Sequence, residues 1–171
     1  MFFQDTSTYT IDTTNVKIKM DIYTVDKLTS LYNVSISQLL ALFSDIEYSN
    51  LQKICNNLLK IWGYDIEITD EAQVYELSNL IVQALMWSLP TANDIPNYKK
   101  PEIKDVKKKK KTKQTELKIE RIIYIGVAVL NLSLSAVKRM TIRQIMILYG
   151  QHLLNEFGEE EVADINDMIP I

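Results

Sequence analysis

Cysteine, histidine and glycine are scarce in this chain of 171 residues, and each scarcity closes off a class of chemistry. Cys55 is the single cysteine, so no internal disulfide can form and no cysteine-rich metal site can be assembled. Such usage gives no sign of an oxidising, extracellular setting. His152 is the single histidine, and only Glu156 stands near it at helical spacing, whereas a zinc site draws on three or four protein ligands. With four glycines there is no phosphate-cradling loop, no dinucleotide fingerprint and no G-x-S-x-G elbow. The longest apolar run, residues 122–130, falls well short of the roughly 20 residues that span a bilayer. The opening MFFQDTSTYT has neither the basic start nor the apolar centre of a signal peptide. These absences lead to the expectation of a non-enzymatic, cytoplasmic protein with no cofactor, no metal and no membrane partner.

What is present is ordinary in amount and uneven in placement. Apolar residues make up 47% and charged residues 24%, which suits a globular protein with a sizeable core. The net charge of −3 conceals a basic centre. Between Lys99 and Arg121 eleven basic residues face four acidic ones, and the rest of the chain carries a net −10. A basic segment between acidic parts invites self-association or an anionic partner.

Val16, Ile18, Met20 and Ile22 alternate with Lys17, Lys19 and Asp21, the period of a half-buried strand. Tyr9 and Ile11 supply a partner strand within residues 6–12, and Thr13, Thr14 and Asn15 suit the turn between them. Helices follow. Thr24 is placed to cap one over residues 25–32, and Ser35 or Ser37 a second through 38–43. A third begins at Asn50, with Leu51, Ile54, Cys55, Leu58, Leu59 and Trp62 on one face and Gly63 as its left-handed stop. Residues 64–68 read as a short extended piece. Thr69 caps a long helix lined by Val74, Leu77, Leu80, Ile81, Leu85 and Met86, which Pro90 ends.

Beyond Pro90 the character changes. Pro96, Pro101 and the lysines leave too few apolar side chains to offset the entropy of ordering the stretch. From residue 115 or 116 a helix carrying Leu117, Ile119, Ile122, Ile123 and Val127 is apolar almost all round from Ile122 onward and requires burial on several sides. The predicted fold is mainly α. An N-terminal β-hairpin and helical domain occupies residues 1–89, and a flexible, basic, Pro/Lys-rich linker occupies 90–114. A small C-terminal helical unit follows over 115–158, then an acidic tail over 159–171.

Within that last unit, Leu132, Ser133 and Ser135 lead into a short helical piece. Met140 and Thr141 then open a longer amphipathic helix, with Thr141 as its cap and Arg143 close behind. Ile142, Ile145, Met146, Leu148, Tyr149 and Leu153 form its apolar side. One reading buries that side in the protein's own core. The other comes from a family: helix, Leu-Ser-x-Ser turn, short helix, Met-Thr and capped helix resembles the tail assembly chaperones of tailed bacteriophages and phage-like particles. The match covers about a fifth of the chain; no proline follows the serine, and residues 137–139 offer no aromatic before the Met-Thr pair. The resemblance implies binding of the tape-measure protein and tail-tube subunits during tail morphogenesis. The residues expected to bind this partner are Leu132, Met140, Ile142, Arg143, Ile145, Leu148 and Tyr149.

Lys107, Lys108, Lys109, Lys110, Lys111 and Lys113 carry the alternative. Such a run attracts phosphate through counterion release, without sequence preference, as a small nucleic-acid-binding regulator would use it. It has no interleaved arginines or aromatics for reading bases, so a solvated linker is the simpler account. A structural subunit of a virion or phage-like particle is the third reading.

Overall fold

The computed structural model describes residues 7–44, 47–91, 94 and 117–157. Among them the chain is mainly helical with one small antiparallel hairpin, as the periodicities predict. Strands β1 (Thr8–Ile11) and β2 (Thr14–Lys17) pair Thr8 with Lys17 and Ile11 with Thr14. The turn is Asp12 and Thr13, one step earlier than the Thr-Thr-Asn reading. Asp12 takes a left-handed φ of 53° there, a conformation Asp tolerates because its short polar side chain bonds locally. Ladder pairing ends near Ile18, yet Ile18, Met20 and Ile22 continue the inward alternation and are all buried.

Helix α1 (Ile22–Tyr32) starts earlier than expected because Asp21, not Thr24, caps it: its carboxylate accepts the Thr24 N–H at 2.9 Å. Thr24 is buried in the first turn. Asn33 stops the helix in the left-handed region at φ 51°. A 3-10 helix over Ile36–Phe43 follows, where the Ser35 N–H donates to the Gln38 side chain at 3.0 Å. Helix α2 (Tyr48–Ile61) buries Leu51, Ile54, Cys55, Leu58 and Leu59, the face read from the sequence, and Gly63 ends it at φ 88°. Residues 64–69 are not a strand. Instead the side chain of Asn56 takes the place of a strand partner for Ile68. Its Oδ1 accepts the Ile68 N–H at 2.9 Å, while its Nδ2 and the Gln52 Nε2 donate to the Ile68 carbonyl. Helix α3 (Glu71–Ser88) is capped by Asp70, which accepts the Gln73 N–H at 2.9 Å, and not by Thr69. In both corrected caps a carboxylate displaced a neighbouring hydroxyl. Its charge also favours the positive end of the helix.

Helix α4 (Ile119–Tyr124) widens into a π-helical stretch over Ile125–Val129, with the Leu130 N–H reaching back to the Ile125 carbonyl at 2.9 Å. Asn131 then turns the chain at φ 53°. Ser133 caps the short helix α5 (Leu134–Lys138), accepting the Ala136 N–H at 3.2 Å. Helix α6 (Ile142–Phe157) opens with a reciprocal cap: Thr141 Oγ1 accepts the Gln144 N–H at 3.2 Å, and the Gln144 side chain accepts the Thr141 N–H at 2.9 Å.

The N-terminal and C-terminal helical units share one core. A single apolar cluster contains Ile22 and Leu28 of α1, Leu77 and Ile81 of α3, Ile122 of α4, Val137 of α5 and Ile142 and Ile145 of α6. The Ile22 N–H donates to the Met140 carbonyl at 2.8 Å, stitching the two halves together at the backbone. Each fully buried aliphatic side chain contributes roughly 1.5–3 kcal/mol, so a helix as apolar as α4 gains most by entering the core already built by α1–α3. No helix among the described residues is long and apolar enough to cross a membrane.

Candidate functional site

The apolar side of α6 is spent inside the protein. Ile142 and Ile145 are fully buried and Tyr149 is 4% exposed, while Leu132, Met140 and Leu148 are half-buried. Arg143 also has an internal partner: its guanidinium donates to Asp94 Oδ1 at 2.6 Å and lies 5.3 Å from the centre of the Trp87 ring. Of the residues expected to bind a partner, Ile142, Ile145 and Tyr149 therefore lie in the core, and Leu132, Met140, Arg143 and Leu148 keep part of their surface. The reading that sent this stripe into the protein's own core describes its packing. The lysines at 107–111 and 113 lie outside the described residues, as do residues 158–171.

A groove beside α5, with a volume of about 740 Å³, is open at the surface. Lys19, Asp21, Tyr23 and Thr24 form one side, Ile61 and Trp62 at the end of α2 the second, and Leu134, Ser135, Lys138 and Arg139 the third. Two hydrogen bonds fix these walls. The Trp62 indole N–H donates to the Lys19 carbonyl at 2.8 Å, and the Ile22–Met140 bond ties α1 to the α5–α6 junction. Tyr23 and Leu134 are 41% and 48% exposed, two of several large apolar side chains left at the surface. Among the described residues Asp21 is the acidic one lining it, and one of its oxygens is engaged in capping α1. Lys19, Lys138 and Arg139 are its basic residues among those described.

Sequence reasoning missed this surface because its three walls come from separate stretches of the chain, at 19–24, 61–62 and 134–139. One local signal exists: Leu134 and Lys138 stand four apart on a helix and so share a face.

Chemistry for catalysis is sparse. Among the described residues no group of three or more His, Cys, Asp or Glu side chains is placed to hold a metal ion. Cys55 is buried and its thiol donates weakly to the Val74 carbonyl at 3.9 Å. Burial pushes its pKa up to about 12, which disfavours the reactive thiolate. No family model, curated protein or solved structure matches the chain.

Proposed function

We propose that this chain is a non-enzymatic assembly chaperone of the tailed-phage kind. It binds the tape-measure protein, tail-tube subunits, or both, in the cytoplasm of a bacterial host while the tail is built. The observation that carries the reading is the groove beside α5. The short helix of the resembling unit begins at Leu134, which is 48% exposed and lines the groove together with Tyr23 and Trp62, so these side chains are available to a partner helix. A tape-measure protein is long and helical, and covering its apolar stripe before the tube forms requires contact without chemistry.

Co-expression with the tape-measure protein of the same gene cluster tests this. Tyr23→Asp and Leu134→Asp alter exposed residues, so the fold should survive while co-purification is lost. Retained binding by both variants would sink the reading. Stoichiometric presence of the chain in purified particles would make it a structural subunit instead.

A further inference from the structure

We infer that α1 to α2 and α4 to α6 are two copies of one helical unit, and that the π-helical stretch is a single residue gained by the second copy. The sequence carries the first sign. Asn33-Val34-Ser35-Ile36-Ser37 recurs almost unchanged as Asn131-Leu132-Ser133-Leu134-Ser135. In both places the Asn takes a left-handed φ, 51° and 53°, and the first Ser occupies the N-cap position of a short helix. Before the turn, Ile22, Val25 and Leu28 are buried in α1, and Ile119, Ile122 and Ile125 in α4. Beyond it, Leu39 and Val137, each four residues after its Ser, are fully buried. The long helices repeat as well. Helix α2 buries Leu51, Ile54, Cys55, Leu58 and Leu59, and α6 buries Ile142, Ile145, Met146, Tyr149 and Gly150 at the same spacing. Helix α1 packs on both later helices of its unit, and so does α4.

The first helices differ by one residue, and the hydrogen bonds locate it. The Val34 N–H donates to the Thr29 carbonyl at 3.1 Å, five residues back, whereas the Leu132 N–H donates to the Gly126 carbonyl at 3.0 Å, six residues back. Asp21 and Lys118 hold the N-cap positions, and each stands eight residues before that carbonyl. The added residue therefore falls within 127–130, in the π-helical stretch or at its end. In an α-helix it would turn everything beyond it by about 100° and carry the buried face off the core. Widening one turn absorbs it, so Ile125 before the bulge and Val137 after the turn both stay buried. Gly126, with no side chain, lets the widened turn lie against Val137. The Ser-x-Ser turn, present once in each unit, is then a means of joining two helices of this fold. Its counterparts Ile36 and Leu134 are 5% and 48% exposed, so the unit's architecture does not itself leave that position open.

Single-residue deletions and insertions in the full chain test this, read by thermal unfolding. Deleting Ala128 gives α4 the spacing of α1 and should leave a cooperative melt within about 5 °C of the parent. Deleting Ser30, also exposed but in a helix with no residue to spare, should abolish the cooperative transition. The reverse change carries the equivalence to the first unit. An alanine inserted after Ser30 should be absorbed as a π bulge and leave a cooperative melt, while an alanine inserted after Val25, ahead of the matching position, should not. A deletion of Ala128 no milder than that of Ser30 would overturn the assignment of the added residue. An insertion after Ser30 no milder than that after Val25 would overturn the equivalence of the two units.

Discussion

Arg143 and Asp94 meet at 2.6 Å with only 25% and 9% of their side chains exposed, joining the first turn of α6 to the chain beyond α3. The other Asp94 oxygen accepts from the Thr91 hydroxyl at 2.6 Å and from its N–H at 2.7 Å. Burial by itself raises the Asp94 pKa. The hydrogen bonds from Thr91 and Arg143 and the guanidinium charge outweigh it, and the carboxyl ends below its ordinary 3.8. A lowered carboxyl pKa contributes stability that is fully present above 3.8 and lost as pH falls through the folded value. Asp94→Asn should therefore flatten the stability–pH curve on the acid side of pH 4 and cost about 1–3 kcal/mol at neutral pH. Urea unfolding at a series of pH values checks both.

Gly126 is pressed against Val137. A methyl group built at Gly126 would stand 2.6 Å from one γ-carbon of Val137 and 3.4 Å from the Ile145 side chain. Val137 is fully buried and stiff at χ1, so it cannot swing aside. Gly126→Ala should destabilise by about 1–3 kcal/mol through overpacking. The double variant Gly126→Ala/Val137→Ala should cost less than the two single changes together, which thermal unfolding of all three resolves.

The helix caps separate neighbouring residues that look equivalent. Asp70→Ala should cost about 1 kcal/mol because it removes the acceptor for the Gln73 N–H. Thr69→Ala should stay within about 0.5 kcal/mol, since Thr69 contributes only its backbone carbonyl, to the Tyr48 hydroxyl. Thr141→Ala should match Asp70→Ala, as it breaks the reciprocal pair with Gln144. Denaturant midpoints of the three variants rank them.

Tyr9 should ionise late. Desolvation, then the hydrogen bond from its hydroxyl to Glu76 at 2.8 Å, raises its pKa from 10.0 to about 12. A raised pKa contributes stability present below pH 10 and lost as pH climbs towards 12. Glu76→Gln should bring the phenol back towards its ordinary value, visible in an ultraviolet titration.

Charge substitution distinguishes the two sides of the C-terminal unit. Ile145→Asp should unfold the protein, because its side chain is fully enclosed by the shared core. Leu134→Asp, at 48% exposure, should leave the melting transition near that of the parent. Calorimetry separates the outcomes.

The sequence by itself determined what depends on neighbours along the chain. The apolar face of α2, the left-handed stop at Gly63 and the Thr141 cap are local preferences, and each appears where its pattern stands, whereas the strand read over residues 16–22 ends at Lys17 and only its inward alternation continues. Local chemistry also supplied two acceptors where one was needed. Only the packed geometry chose Asp21 over Thr24 and Asp70 over Thr69. Tertiary structure alone decided which apolar faces stay inside. An amphipathic stripe specifies that a face must be covered, not what covers it. The α6 stripe found α3, the π-helical stretch and the rest of the shared core within its own chain. Packing also brought Tyr23, Trp62 and Leu134 to one groove across more than a hundred positions of sequence, which no local pattern could show.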